Sequence, residues 1–214
     1  MQHIYIFSGL GADERVFQNL DFTGFPVTHI KWITPAPGMP VQVFASRIIG
    51  QITAPKPILI GLSFGGIIAI QVAKKIRTEK VIIISSVKNR SEIPWYYKMA
   101  GKLRLHRLLP PALLKMSNSL TNRMFGADSA ADKTLLKAIL QDTDPILLRW
   151  AINTIVTWAN TTTLPNLTHI HGTADMILPY KFVKCDYSIN AGGHLMVLNK
   201  AEEMSAILQT ILLA

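Results

Sequence analysis

Pro57-Ile58-Leu59-Ile60 runs directly into Gly61-Leu62-Ser63-Phe64-Gly65, and Gly66-Ile67-Ile68-Ala69-Ile70-Gln71-Val72-Ala73-Lys74-Lys75-Ile76 follows. The first run reads as a buried strand and the last as a helix. Between them lies a Gly-x-Ser-x-Gly pattern at a strand-to-helix junction, the setting in which a serine is held on a sharp turn as a nucleophile. The glycines have a physical cause. The serine sits in a strained backbone conformation, and strand and helix pass so close that side chains two residues to either side would collide. The bare pattern is common by chance, so its weight comes from the strand before it and the helix after it. The plain alternative is a tight glycine turn whose serine only caps the helix.

Outward from this turn, apolar strands alternate with helical patterns. Toward the N-terminus, His3–Phe7 reads as a buried strand, Ser8-Gly9-Leu10-Gly11-Ala12 as a loop, and Asp13 as the N-cap of a helix over Glu14–Leu20. Val27–Ile33 alternates as a second strand, and Pro35-Ala36-Pro37-Gly38-Met39-Pro40 is a turn-rich loop. Val41–Ile52 has helical spacing, with Val43, Phe44, Ile48 and Ile52 on one face. Pro57–Ile60 is the third strand and Val81–Ile84 the fourth, continuously apolar as a strand covered on both sides should be. Strict alternation of strand and helix implies a parallel sheet with helices on both faces.

The rhythm breaks at about Val87. Up to Asn160 the patterns are helical, at Trp95–Leu109, Ala112–Met124, Ala131–Leu140 and Pro145–Trp158. Strands return at Leu167–His171 and Cys185–Ile189, and Ala201–Leu213 closes the chain as a helix with Met204, Ile207, Leu208 and Ile211 on its buried side. The expected architecture is one α/β domain over 1–214, a three-layer α/β/α sandwich. Its core would be 1–86 and 161–214, with about six mostly parallel strands, and 87–160 would be a helical lid inserted into it.

The 214 residues are long enough to bury a real core, and 49% apolar against 16% charged residues is a globular balance. No apolar run approaches the ~18–20 residues of a membrane-spanning helix. His3–Phe7 reads at once as a strand, so no signal peptide is expected, and Cys185 as the only cysteine excludes an internal disulfide and a cysteine-based metal site. A cytoplasmic protein is the expectation. The formal net charge is +9, and Lys88, Arg90, Lys98, Lys102, Arg104, Arg107, Lys115 and Arg123 concentrate it on the insertion against Glu92 alone. No nucleic-acid motif accompanies these residues. The readings are a solvated basic face, an anionic substrate or a membrane surface.

A serine hydroxyl needs an imidazole to take its proton and a carboxylate to orient that imidazole. His171-Gly172-Thr173-Ala174-Asp175 follows one strand and Gly192-Gly193-His194 follows the last. Parallel strands point their C-terminal ends one way, which gathers Ser63, Asp175 and His194 on one rim. Three motifs in this order resemble the α/β-hydrolase fold, in its small lidded group of bacterial esterases and related hydrolases, over nearly the whole chain. The resemblance implies Ser63 as nucleophile, His194 as general base and then acid, and Asp175 as its partner. It also implies an oxyanion hole from the backbone N–H of Phe64 and of Leu10, with no metal or organic cofactor. Many relatives carry His-Gly where this chain has Ser8-Gly9, which removes a histidine that commonly braces that loop. The chain opens on the strand leading to the oxyanion loop, so the family's first two strands are expected to be absent. With Asp175 and His194 so close in sequence, the helix between them, within Pro179–Lys184, is expected to be stunted or lost.

Plainer readings stand beside these. Asp175 and His194 could belong to ordinary turns, His171 supports the turn carrying Asp175, and Glu92 is the rival acid after the fourth strand. Asp128, Asp132, Asp142 and Asp144 read as helix caps, and His106 as exposed. Trp95, Tyr96, Tyr97, Trp150 and Trp158 with Met99, Met116 and Met124 suggest a lid with an apolar underside, and Trp95, Trp150, Trp158 and Met176 are the candidates for an apolar pocket, with packing of lid onto body as the alternative. The resemblance implies hydrolysis of a small-to-medium carboxylic ester or thioester. C–C hydrolysis, lactone opening, perhydrolysis and acyl transfer use the same three side chains, and a ligand-binding protein without turnover is the reading from another class.

Overall fold

The computed structural model describes residues 2–108, 110 and 115–214. Six strands, β1 (Ile4–Phe7), β2 (Val27–His29), β3 (Ile58–Leu62), β4 (Lys80–Ile84), β5 (Leu167–Gly172) and β6 (Tyr187–Ile189), form one sheet in the order β2-β1-β3-β4-β5-β6. Every pairing is parallel, in register Ile4 to Val27 and Ile58, Ile58 to Lys80, Val81 to Leu167 and Ile170 to Tyr187. The chain moves outward one way from β1 to β2 and the other way from β3 to β6. The crevice beyond the C-terminal ends of β1 and β3 is therefore the topological switch point, where open α/β sheets bind ligands.

Side-chain alternation splits the core into two layers. Ile4, Ile6, Ile58, Ile60, Leu62, Ile82 and Ile84 pack on one face of the sheet, against Met204, Leu208 and Ile211 of α8 (Ala201–Leu213). Tyr5, Phe7, Leu59, Val81 and Ile83 pack on the other, against α1 (Val41–Ile48) and α2 (Phe64–Ala73). Nearly every residue of α2 is buried, as its continuously apolar sequence requires. The insertion supplies α3 (Trp95–Lys102), α4 (Ser119–Phe125), α5 (Ala130–Asp142) and α6 (Pro145–Thr157), and α7 (Met196–Asn199) precedes α8. No described helix is long and apolar enough to cross a membrane.

Several elements differ from the sequence reading. The second strand stops at His29, not Ile33; the Ile30 N–H still donates to the Ile6 carbonyl at 2.9 Å, and β1 itself ends one residue on, at Phe7. Asp13 does cap a helix, through its side chain to the Arg15 N–H, but only a 3-10 turn over Glu14–Phe17 follows. Val43 is 44% exposed, whereas Phe44, Ala45 and Ile48 are buried; it lies about 100° around the axis from Phe44, off the apolar face. The helix expected over Trp95–Leu109 ends at Lys102, where Arg104 takes a left-handed φ of 57°, and a 3-10 turn over Leu105–Leu108 follows. Of the helix expected over Ala112–Met124, residues 112–114 lie outside the described residues, and the helix observed begins at Ser119. The final strand is shortened to Tyr187–Ile189.

Candidate active site

The turn after β3 holds Ser63 at φ 51° and ψ −120°, a conformation that costs a non-glycine residue free energy and that the surroundings over-determine. Ser63 N–H donates to the Ile84 carbonyl at 2.8 Å, and the Ser86 hydroxyl donates to the Ser63 carbonyl at 2.7 Å. Both flanking glycines are required by close approach. A Cβ on Gly61 would stand 2.5 Å from the Gly66 Cα, and one on Gly65 would fall onto the Phe7 carbonyl oxygen. The serine thus protrudes at the switch point, at the N-terminus of a buried helix.

His194 and Asp175 meet it there. His194 Nε2 lies 2.9 Å from Ser63 Oγ, and His194 Nδ1 lies 2.8 Å from Asp175 Oδ2. The other carboxylate oxygen of Asp175 accepts from the Ile177 and Leu178 N–H groups, each at 2.9 Å. Asp175 is buried, which alone would raise its pKa. The charge and hydrogen bond of His194, the nearby His171 and the Leu178 amide outweigh that and hold the carboxyl below its usual value. An ionised carboxylate only accepts, so His194 Nδ1 carries the proton and Nε2 is the acceptor facing the Ser63 hydroxyl.

A second pair of histidines backs this arrangement. His171 Nε2 donates to the Leu178 carbonyl at 2.8 Å and lies 3.5 Å from Asp175 Oδ2, supporting the turn that carries the carboxylate. That leaves His171 Nδ1 to accept from His169 Nε2 at 3.1 Å. Burial depresses the pKa of both rings, that of His169 well below its ordinary value, so both are neutral.

The rival acid does other work. Glu92 is buried and accepts from the Lys88 N–H at 2.7 Å and the Lys184 N–H at 3.1 Å, tying the loop after β4 to the β5–β6 connection. Burial raises its pKa against those two amide bonds. Asp144 caps α6 and Asp132 completes a capping box with Ser129, the N-cap of α5, but Asp142 pairs with Arg15 at 2.8 Å and Asp128 accepts from Asn199 at 3.4 Å. His106 is half-buried rather than exposed, with Nε2 3.0 Å from Asn153 Oδ1.

Leu10 and Phe64 line the same cavity as Ser63 and His194, and the backbone N–H of neither donates to an acceptor among the described residues. The loop that carries Leu10 is braced by the Trp32 indole N–H, which donates to Ser8 Oγ at 2.9 Å. Sequence reasoning missed this brace. Its only signal was a tryptophan just past the second strand.

The cavity measures about 410 Å³ and is almost wholly apolar. The insertion covers it with Tyr97 of α3, Met124 and Phe125 of α4, Leu140 of α5, and Leu148, Ile152, Ile155 and Val156 of α6. Burial pushes the Tyr97 pKa up to about 12, and its hydroxyl donates to the Ile177 carbonyl at 2.9 Å. The four residues named from sequence for the pocket do not line it. Trp95 is 64% exposed and Met176 44% exposed. Trp158 is buried in the core beside α2, and Trp150 donates its N–H to the Met39 carbonyl at 2.7 Å while packing on Phe44 and Phe64. At about 100° per residue, Leu148, Ile152, Ile155 and Val156 lie roughly 140–240° around α6 from Trp150. Of the aromatic and methionine side chains read from sequence as the lid's apolar underside, Tyr97 and Met124 do line the cavity, whereas the aliphatic stripe of α6 was not singled out. Among the described residues, no cluster of three or more His, Cys, Asp and Glu side chains is placed to hold a metal ion.

The model of the alpha/beta hydrolase family matches residues 7–207. Among curated proteins, none matches the chain. Solved structures that share the fold include an esterase from Exiguobacterium antarcticum, with TM-score 0.77 and 17% identity, covering 100% of this chain and 92% of that one. A thermophilic esterase from Thermogutta terrifontis has TM-score 0.74 and 15% identity, with 99% and 89% covered. A bromoperoxidase from Bacillus anthracis has TM-score 0.73 and 17% identity, with 100% and 92% covered.

Proposed function

Because the chain belongs to the alpha/beta hydrolase family, we propose that it is a serine hydrolase cleaving a carboxylic ester or thioester with a small-to-medium, largely apolar acyl group. One observation carries the reading: a continuous Asp175–His194–Ser63 relay, with contacts of 2.8 and 2.9 Å, opens into an apolar cavity of about 410 Å³. Neighbours at such low identity speak for the fold and leave the bond cleaved open.

In this reading Ser63 Oγ attacks the carbonyl carbon as His194 Nε2 takes its proton. Asp175 stabilises the resulting imidazolium and keeps the ring oriented. The carbonyl oxygen gains negative charge and would accept from the backbone N–H groups of Leu10 and Phe64, two residues that line the cavity. His194 then gives its proton to the departing alkoxide or thiolate, leaving an acyl-Ser63 ester. Water attacks that ester with His194 again as base, and the carboxylic acid leaves. The acyl chain would lie among Leu148, Ile152 and Val156, where burial of each CH₂ contributes about 0.8 kcal/mol.

The test is turnover of p-nitrophenyl esters and acyl-CoA thioesters of graded chain length by wild type and by Ser63→Ala. Turnover by wild type alone supports the reading. Turnover of none, with binding of apolar ligands retained, would favour a carrier on the same fold.

A further inference from the structure

The helix α3 has two unlike sides. Tyr97 and Gly101 face the body: the Tyr97 hydroxyl donates to Ile177, and a Cβ on Gly101 would stand 2.5 Å from the Val156 carbonyl oxygen of α6. At about 100° per residue, Trp95, Met99 and Lys102 then share the opposite side, with Lys98 on the flank. Trp95 is 64% exposed and Met99 46%, and the chain beyond the helix continues with Leu103, Leu105 and Leu108 at 58%, 49% and 78%. Lys102, Arg104 and Arg107 are exposed among them, and Lys98 is half-buried. Residues 93–127 hold six Lys and Arg side chains and no carboxylate.

We propose that the outer face of α3 and the 3-10 turn over Leu105–Leu108 docks this protein on an anionic lipid surface. Large apolar side chains left in water mark an interaction surface. The cations among them select an anionic partner and set a second copy of this face against it by like-charge repulsion. A bilayer supplies an anionic plane with acyl chains just beneath it, so Lys and Arg reach phosphates while Trp95, Met99 and the leucines enter the boundary layer. The same helix sends Tyr97 into the wall of the cavity beside Ser63. Docking would place that cavity one helix away from the lipid.

Binding is read by co-sedimentation with phosphatidylcholine vesicles that do or do not contain phosphatidylglycerol, and by the emission shift of Trp95. Wild type is expected to bind only the anionic vesicles, about tenfold or more weaker once salt approaches about 1 M. The triple variants Lys102→Glu/Arg104→Glu/Arg107→Glu and Trp95→Ser/Leu103→Ser/Leu108→Ser should each lose about tenfold or more, with hydrolysis of a soluble short ester unchanged. Ser63→Ala should bind as wild type does, which separates this result from the hydrolase reading. Equal binding to neutral vesicles, no loss in either triple variant, or capture by polyglutamate without capture by vesicles would overturn the proposal.

Discussion

Asp175 Oδ2 stands 2.8 Å from His194 Nδ1 across only 19 positions of chain. Parallel strands usually need a helical crossover of a dozen or more residues. Here the link between β5 and β6 holds a single 3-10 turn over Tyr180–Phe182. Other groups hold this helix-free link. Glu92 binds the Lys184 N–H, Asp186 accepts from the His169 N–H at 2.8 Å, and the Ala174 N–H donates to the Gly192 carbonyl at 3.0 Å. Gly172 lies so close to Gly192 that a Cβ would strike its carbonyl. The pairing is thus fixed by carboxylate-to-amide hydrogen bonds and by close approach of the main chain at Gly172 and Gly192.

Replacing Asp175 with Asn should keep the fold and lower kcat by roughly 10³–10⁴-fold with little change in KM, because the amide cannot stabilise an imidazolium and favours the wrong tautomer. Steady-state kinetics on a soluble ester checks this. A change confined to KM would assign Asp175 to substrate binding.

Gly65→Ala should destabilise the protein by about 2–4 kcal/mol or displace the serine turn, since the new methyl meets the Phe7 backbone and not a movable side chain. Denaturant midpoints measure the first effect and residual turnover the second. A neutral substitution would mean that β1 and α2 can separate at little cost.

Acid should weaken the fold through His169 and His171. Their folded pKa values are depressed by burial, so the unfolded chain binds more protons once pH falls below about 6.5. Their stabilisation is complete above that value and is lost as pH falls toward the folded values, at up to about 1.4 kcal/mol per pH unit for each ring. The depressed Asp175 adds a loss of the same sign at lower pH. Denaturant titrations from about pH 7.5 to about pH 5 should slope less for His169→Gln, whose amide can still donate to His171. Parallel slopes would mean that His169 is not held neutral.

Much of this is legible in the sequence. The strand-turn-helix around Ser63 announces itself because only glycine fits at 61 and 65, and β5 and β6 place Asp175 and His194 by the same parallel geometry. The pocket was legible as apolar and through Tyr97 and Met124, but its aliphatic wall on α6 was not. Which face of α6 looks inward depends on Trp150 finding the Met39 carbonyl and the Phe44 ring, contacts made across 111 positions in the first case. The brace from Trp32 to Ser8 was hidden for the same reason, since the loop's support comes from the next strand's far end.

Filling the cavity should shift substrate choice. Leu148→Trp is expected to reduce kcat/KM for long acyl chains by about tenfold or more while sparing the shortest esters, as added bulk displaces buried methylenes worth about 0.8 kcal/mol each. A uniform loss across chain lengths would place the acyl group elsewhere.

The most direct test is a fluorophosphonate reaction followed by peptide mass spectrometry. Wild type should carry one adduct, on the hydroxyl that lies 2.9 Å from His194 Nε2, and Ser63→Ala should carry none. An unlabelled wild type, or equal labelling of the two proteins, would contradict a nucleophilic Ser63.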